Sequence, residues 1–319
     1  PCTVSPQGAV QQRTTADAVV EGLAQLGVRH AFGINGRALA PFADSLLSST
    51  IEVLQTRHET GAAFAALEAS LVSGRPALVF TTTGPGLTNA LTGLLAARWE
   101  GGRVILVSPA TSAAHRGRCA FQETTPETLP PTLFTPGPVF HAAQVLESPD
   151  ALDVALQRFA AGLARPGGFV GHLSLPVSVQ MTPWEDPVWV APVEVTPPTC
   201  GDDVVDACLA LLRRGRAALW VGFGARGCQA ALTRVAERLS LPVVATPRAK
   251  GAFPERHPFY LGVTGLGGDP GVADALRRWA PEYTLVLGTR LGEYSSLWAP
   301  GLRPRRGLIV VDPRQERFG

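Results

Sequence analysis

"PALVFTTTGPGLTNALTGLLAARWEGGRVILVSP", residues 76–109, sets out the plan of the chain. An apolar run, "PALVFTTT", reads as a strand, a Gly-Pro-Gly turn follows, "LTNALTGLLAARW" reads as a helix and "RVILVSP" as a second strand. Both strands are continuous apolar runs with no alternation, and a helix separates them, which is the pattern of a parallel sheet covered on both faces. The pattern extends outward in both directions. Upstream, Thr14 and Asp17 have capping-box spacing before "AVVEGLAQLG", with Gly27 as the stop. Then come the strand "RHAFGI", the helix "PFADSLLSS", the strand "IEVLQTR" and a helix ending at Gly74. Downstream, "PDALDVALQRFAAGLARPG" is a helix feeding the strand "GFVGHLSLPV".

From Met181 to Cys200 the text becomes proline-rich without a helical period, and it reads as a linker. The array then restarts with "DDVVDACLALLRRG", "AALWVGFG", "CQAALTRVAERLS", "LPVVATP", "PGVADALRRWA", "YTLVLGTRL" and "RGLIVVDP". The expected class is α/β: two open parallel-sheet domains with helices on both faces, over 1–180 and 201–319, joined by a linker over 181–200.

Bulk properties narrow the function. At 45% hydrophobic and 17% charged residues the chain is globular, not disordered. Its net charge of +2, with Lys250 as its single lysine, argues against nucleic acid or an anionic membrane as partner. Five cysteines (Cys2, Cys119, Cys200, Cys208, Cys228) share no C-x-x-C spacing, so reduced thiols and a cytoplasmic location are expected. No stretch has the length of a membrane span, and the first residues lack the basic and apolar regions of a signal peptide.

In open parallel sheets, ligands bind outside the carboxyl ends of the strands. In the first array those ends carry "GINGRA" (33–38), "RHETG" (57–61), "TTTGPGLTN" (81–89) and "SPATS" (108–112). Glu59 therefore stands on the ligand side, at the mouth of a helix almost without polar residues. A carboxylate favoured by the helix dipole is one reading; a group that binds a ligand's proton is the other.

In order and spacing, "FGINGRA", "RHETGAAFAA", "TTTGPGLTNALTGLLAA" and "AFQETTPE" resemble the pyrimidine-binding domain of thiamine-diphosphate-dependent enzymes, in the acetolactate synthase-like branch. "TPRAKGAFPERHPFYLGVTGLGG" and "LVLGTRLGEYSSLWAP" resemble that branch's central, Rossmann-like domain. The resemblance implies a decarboxylase or carboligase acting on a 2-oxo acid. It makes Glu59 the glutamate that hydrogen-bonds the cofactor's aminopyrimidine ring and favours the imino tautomer, whose nitrogen removes the thiazolium proton. Apolar neighbours, Phe64 and the alanines, are expected to keep that carboxyl dry. Gly33, Asn35, Gly36, Thr83, Gly84, Pro85 and Asn89 are implied around the cofactor, and Arg37, Ala38, Phe121 and Gln122 toward the substrate. A solvated loop residue is the competing reading of Gln122, and a strand–helix turn that of the Gly-Pro-Gly segment. His58 is read as a packing residue, and His115 lies outside any paired-histidine motif.

Two departures stand out. Asn35 and Arg37 occupy positions where such synthases usually show Pro and Gly, so the acetolactate substrate pair is in doubt; a cation there suits a carboxylate, sulfonate or CoA phosphate. The family's third domain, which holds the diphosphate through Mg2+, has no counterpart up to Gly319. The resemblance therefore implies a partner chain or a C-terminal region that completes the site, and a homodimer formed through the pyrimidine domain. In the second array, Gly222, Gly224 and Gly227 follow a strand as a loose dinucleotide loop. FAD or ADP is the implied ligand, with Gly222, Gly224, Arg226, Thr246, Gly288, Thr289 and Arg290 as contacts; an empty structural sheet is the alternative. A catalytically inactive regulatory or scaffolding relative, or a nucleotide-binding module, are the competing functions.

Overall fold

The computed structural model describes residues 12–194 and 199–312. The chain divides into two compact units between residues 196 and 197. In the first, the order is α1 (Thr15–Gln25), β1 (His30–Gly33), α2 (Ala40–Leu47), β2 (Glu52–Gln55), α3 (Glu59–Ser73), β3 (Ala77–Phe80), α4 (Pro85–Glu100), β4 (Arg103–Ala110), β5 (Ala142–Val145), α5 (Leu152–Ala164), β6 (Phe169–Pro176) and α6 (Val177–Gln180). The six strands form one parallel sheet in the order β2-β1-β3-β4-β6-β5. β3 is buried along its whole length and β4 nearly so, as their unbroken apolar runs require.

Each face of this sheet has its own cover. Leu78, Phe80, Ile105, Val107, Leu173 and Leu175 share a core with Val19 and Leu23 of α1, Phe42 and Leu46 of α2 and Leu156 and Phe159 of α5. α3 and α4 pack against each other through small residues. A Cβ on Gly93 would lie 2.5 Å from the Cβ of Ala63, so only glycine permits this approach. The Ala-rich composition of α3 is thus a packing requirement. The capping box forms as expected, with the Thr14 side chain accepting from the Asp17 N–H and the Asp17 carboxylate accepting from the Thr14 N–H.

The proline-rich run does not leave the first unit at Met181. Thr15 N–H donates to the Thr182 carbonyl at 2.8 Å and Trp184 N–H to Arg13 at 2.9 Å. Gln25 then bonds the backbone of both Val188 and Val190, whose side chains enter the core. Residues 182–190 are a strap across α1.

The second unit comprises α7 (Asp202–Arg213), β7 (Ala217–Val221), α8 (Gln229–Leu239), β8 (Val243–Ala245), β9 (Tyr260–Val263), α9 (Pro270–Trp279), β10 (Tyr283–Leu287), α10 (Glu293–Ser296) and β11 (Gly307–Val311). Its parallel sheet runs β11-β10-β7-β8-β9. Leu219, Val221 and Val243 pack with Leu232 and Ala236 of α8, while Trp220, Val244 and Val286 pack with Val272 and Leu276 of α9. Both sheets are therefore doubly covered. Among the described residues, no helix is long and apolar enough to cross a membrane.

Candidate active site

Glu59 opens α3 and is only 7% exposed. His58 caps the helix in extended conformation, its Nδ1 accepting from the Thr60 N–H at 3.2 Å. That fixes the exit from β2 and leaves His58 exposed as a cap. Asn89, one turn into α4, donates its side-chain amide to Glu59 Oε2 at 3.1 Å. Thr60 in turn donates to the Asn89 backbone carbonyl at 2.6 Å. The two helix N-termini are thereby locked together, and one carboxylate oxygen is oriented. The other, Oε1, has no hydrogen-bond partner among the described residues. It lies 3.2 Å from where a Cβ on Gly86, the second glycine of "TGPG", would sit, and Thr82 Oγ1 lies 2.5 Å from the same point, so a side chain at position 86 would crowd the carboxylate. Phe64 does not shield this carboxylate as expected: it is 41% exposed on the outer side of α3.

The neighbouring loops are tied at short range. Gly84 has φ 58° and ψ −108°, a conformation that only glycine adopts readily, and Pro85 starts α4 behind it. The Gly84 N–H donates to Thr124 Oγ1 at 2.7 Å, and Thr83 Oγ1 donates to Gln122 Oε1 at 3.2 Å. Gly33 and Gly36 are required by β1's close approach to the end of β3. Their Cβ positions would fall 2.0 Å from the Phe80 carbonyl oxygen and 2.3 Å from Thr82 Cγ2. Asn35 turns its Oδ1 onto the Gly36 N–H, and the Ala38 carbonyl accepts from Gln180. Arg37 is exposed, and Phe121 is 90% exposed beside the half-buried Gln122.

The structure therefore joins Glu59 with Asn89 and Gly86, and Thr83 and Gly84 with Gln122. No hydrogen bond among the described residues attaches Arg37 or Phe121 to either group. Sequence reading passed over Thr60, Thr111 and Thr124; the only signal for Thr124 was its place in "FQETTPE". The buried His172 of β6 lies behind this region. Its Nε2 meets Ser108 Oγ at 2.8 Å and its Nδ1 the Leu133 carbonyl at 2.6 Å. Burial lowers its pKa to about 4, so it is a neutral structural group. His115 is exposed. Cys119, Cys200, Cys208 and Cys228 are free thiols, and Cys2 lies outside the described residues. Among the described residues, no group of three or more His, Cys, Asp or Glu side chains could hold a metal.

These residues fit an aminopyrimidine. A buried carboxyl with one oxygen anchored and the other without a partner among the described residues can share a proton with a ring nitrogen. In the second unit, the fit to a nucleotide is of a different kind. The Cβ positions of Gly222 and Gly224 are filled by the backbone of Gly288, 2.3 Å from its oxygen and 2.9 Å from its Cα. Gly224 N–H donates to the Gly288 carbonyl at 2.9 Å, and Gly288 itself has φ 67°. These glycines close β7 onto β10, which explains them without a ligand. Thr246 is buried at the end of β8, with its N–H on the Val221 carbonyl, and Thr289 Oγ1 accepts from the Leu291 N–H. The polar feature left is a pair of guanidinium groups, Arg226 at 4.1 Å and Arg248 at 5.0 Å from the Phe223 ring centroid. Arg290 follows at the end of β10.

Residues 13–129 match the family model of the N-terminal, cofactor-binding domain of thiamine pyrophosphate enzymes, and residues 204–319 match the model of their central domain. The chain is 32% identical over 298 residues to acetolactate synthase isozyme 2 large subunit of Escherichia coli K12, covering 92% of this chain and 53% of that protein. It is also 32% identical over 314 residues to an acetolactate synthase of Mycobacterium bovis (95% and 49%), and 26% over 326 residues to sulfoacetaldehyde acetyltransferase of Roseovarius nubinhibens (98% and 51%). It spans about half the length of these curated relatives. Among solved structures, a protein described as a thiamin diphosphate-dependent enzyme from Mycobacterium smegmatis superposes with a TM-score of 0.79 at 20% identity, over 97% of this chain and 58% of that one. At that identity the likeness speaks for the fold.

Proposed function

The chain belongs to the thiamine pyrophosphate enzyme family, two of whose domain models it matches in succession, and from that premise we propose that it forms the pyrimidine-binding and central part of an acetolactate synthase-like decarboxylase or carboligase acting on a 2-oxo acid. Bound thiamine diphosphate would supply the electron sink for breaking or making the bond next to the 2-oxo carbonyl. The observation that carries this reading is the pairing of Glu59 with Asn89. Asn89 holds Oε2, so Oε1 is left to hold a proton against a nitrogen of the aminopyrimidine. Thr83, Gly84 and Pro85 form the surface against the ring, with Gly33, Asn35 and Gly36 beside it. Arg37, Ala38, Phe121 and Gln122 face the substrate, Gln122 as a hydrogen-bond donor.

The diphosphate and its Mg2+ are assigned to a diphosphate-binding region outside residues 1–319, on a further part of the gene product or on a partner. Pairing of two pyrimidine domains is supported by the exposed apolar side chains Phe64 and Val72 on α3 and Leu95 and Trp99 on α4. FAD or ADP in the second unit is supported by Arg226 and Arg248 flanking Phe223, with Arg290 nearby in sequence. The free thiols suit a cytoplasmic site of action. An inactive scaffolding role would place no demand on a proton-sharing carboxyl at Glu59, since a carboxamide there could still accept from Asn89. The decisive experiment assays the full gene product, with any partner it copurifies with, for thiamine diphosphate- and Mg2+-dependent consumption of 2-oxo acids. Consumption abolished by Glu59→Gln is expected. A cofactor-loaded assembly that turns over no 2-oxo acid would overturn the proposal.

A further inference from the structure

Thr124 is wholly buried between the two loops that carry Gly84 and Gln122. Its Oγ1 accepts the Gly84 N–H at 2.7 Å and donates to the Gln122 backbone carbonyl at 2.9 Å. Its own backbone is fastened to Thr111, just beyond β4: Thr124 N–H donates to Thr111 Oγ1 at 2.9 Å, and Thr111 N–H donates to the Thr124 carbonyl at 3.0 Å. One hydroxyl thus satisfies a buried donor and a partly buried acceptor at once.

Both partners are in conformations that need support. Gly84 stands at φ 58°, ahead of the first turn of α4, where its N–H has no carbonyl of the helix to meet. Gln122 has φ 52°, a left-handed conformation that disfavours a non-glycine residue. The loops also touch: a Cβ on Gly84 would lie 3.2 Å from Gln122 Cβ. Thr83 completes the clamp by donating to Gln122 Oε1, which leaves the amide nitrogen Nε2 as the end without a partner among the described residues.

We propose that Thr124 is the positioning residue of this site. It fixes the backbone of Gln122 against the Gly84 turn, and Thr83 turns the Gln122 side chain so that its NH2 group, not its carbonyl, is presented. A site built this way selects a ligand with an oxygen acceptor, a carbonyl or carboxylate, and rejects one offering only a donor. The functional half of this inference rests on the reading of the site as one for a 2-oxo acid. The structural half does not.

The test uses NMR on the full chain without cofactor or substrate. The Gln122 side-chain amide signals are identified by their loss in Gln122→Glu. Thr124→Val keeps shape and removes the hydroxyl; it should speed exchange of the Gly84 amide by about tenfold or more and shift the Gln122 side-chain signals. Thr124→Ser should restore both. Thr128→Val, in the same loop but bonded to Thr125 and Glu123 instead, should change neither. Thr83→Val should move the Gln122 signals while Gly84 exchange stays slow, which keeps the inference testable if Thr124→Val fails to fold. Unchanged Gln122 signals in Thr83→Val, or equal responses to Thr124→Val and Thr128→Val, would overturn it. An intact clamp in a chain whose assembled form consumes no 2-oxo acid would instead count against the functional reading alone.

Discussion

Asn89 of α4 donates its side-chain amide to Glu59 of α3 across 3.1 Å, and this bond joins the two helix N-termini where the carboxylate is 7% exposed. Asn89→Leu should therefore act on the fold as well as the site. It strands Oε2 in a buried position, and the expected loss is about 1–3 kcal/mol of unfolding free energy, measured by urea denaturation. A variant as stable as the parent would mean that the bond contributes nothing.

Glu59→Gln separates the chemistry from the packing. The amide carbonyl can still accept from Asn89, so stability should change little. A carboxamide cannot exchange a proton with a ring nitrogen as a carboxyl does. In the complete cofactor site, hydrogen exchange at C2 of thiamine diphosphate should slow by roughly 10²–10⁴-fold, the scale of losing a positioned acid. An exchange rate equal to the parent's removes Glu59 from the mechanism.

Gly93→Ala should destabilise despite the better helix propensity of alanine. The added methyl would sit 2.5 Å from Ala63 Cβ and 2.9 Å from the backbone at Ala63 and Phe64, so no flexible side-chain end can yield. The expected cost is about 1–3 kcal/mol, typical of overpacking between two elements. A higher melting temperature in this variant would show that α3 and α4 can part without loss.

What the sequence made legible follows the local signals. Continuous apolar runs at 76–80 and 103–109 in the first unit and at 217–221 and 283–287 in the second, with the glycine turns between elements, are short-range features, and they marked both sheets and the loops at their ends. The edge strands β5 and β9 escaped because neither is a pure apolar run. β5 is "AAQV" and only partly buried, and β9 is "YLGV" with Gly262 at φ 127°. The strap over 182–190 escaped for another reason: it is held by Arg13, Thr15 and Gln25, more than 150 positions away. Phe64 was placed near Glu59 by sequence distance, but five residues along a helix turn a side chain to the opposite side. Gly222 and Gly224 look like a ligand loop in sequence because strand closure and ligand approach demand the same missing Cβ.

Arg37 is an exposed cation beyond the carboxyl end of β1, one residue after a glycine whose Cβ would strike Thr82. If it reads substrate charge, Arg37→Gly should shift the ratio of kcat/KM between anionic and neutral acceptors by about 1–3 kcal/mol, the scale of a charged hydrogen bond. The comparison is between acceptors matched in size, in one assembly. Equal losses for both classes would reduce Arg37 to a loop residue.

His172 predicts how the first unit responds to acid. Wholly buried, it is held neutral: the Leu133 carbonyl requires a proton on Nδ1, so Nε2 accepts from the Ser108 hydroxyl. Protonation would place a charge in the core, with the Ser108 bond merely reversed so that Nε2–H donates to Oγ, and it is burial of that charge that lowers the pKa from 6.5 to about 4. The sign follows from proton binding. Between those two values the unfolded chain takes up a proton that the folded chain refuses, so unfolding becomes easier as pH falls from 6.5 toward 4. Over that interval the single group can remove about 3 kcal/mol of stability; above pH 6.5 it has no further effect. His141, whose pKa burial and then Arg98 also lower to about 4, acts over the same window, so the slope of stability alone is ambiguous. The discriminating measurement is the pH dependence of the His172 ring resonances in the folded chain. They should stay in the neutral form down to at least pH 5, and a His172 that titrates near 6.5 would show that the buried Ser108–His172–Leu133 arrangement admits a charge.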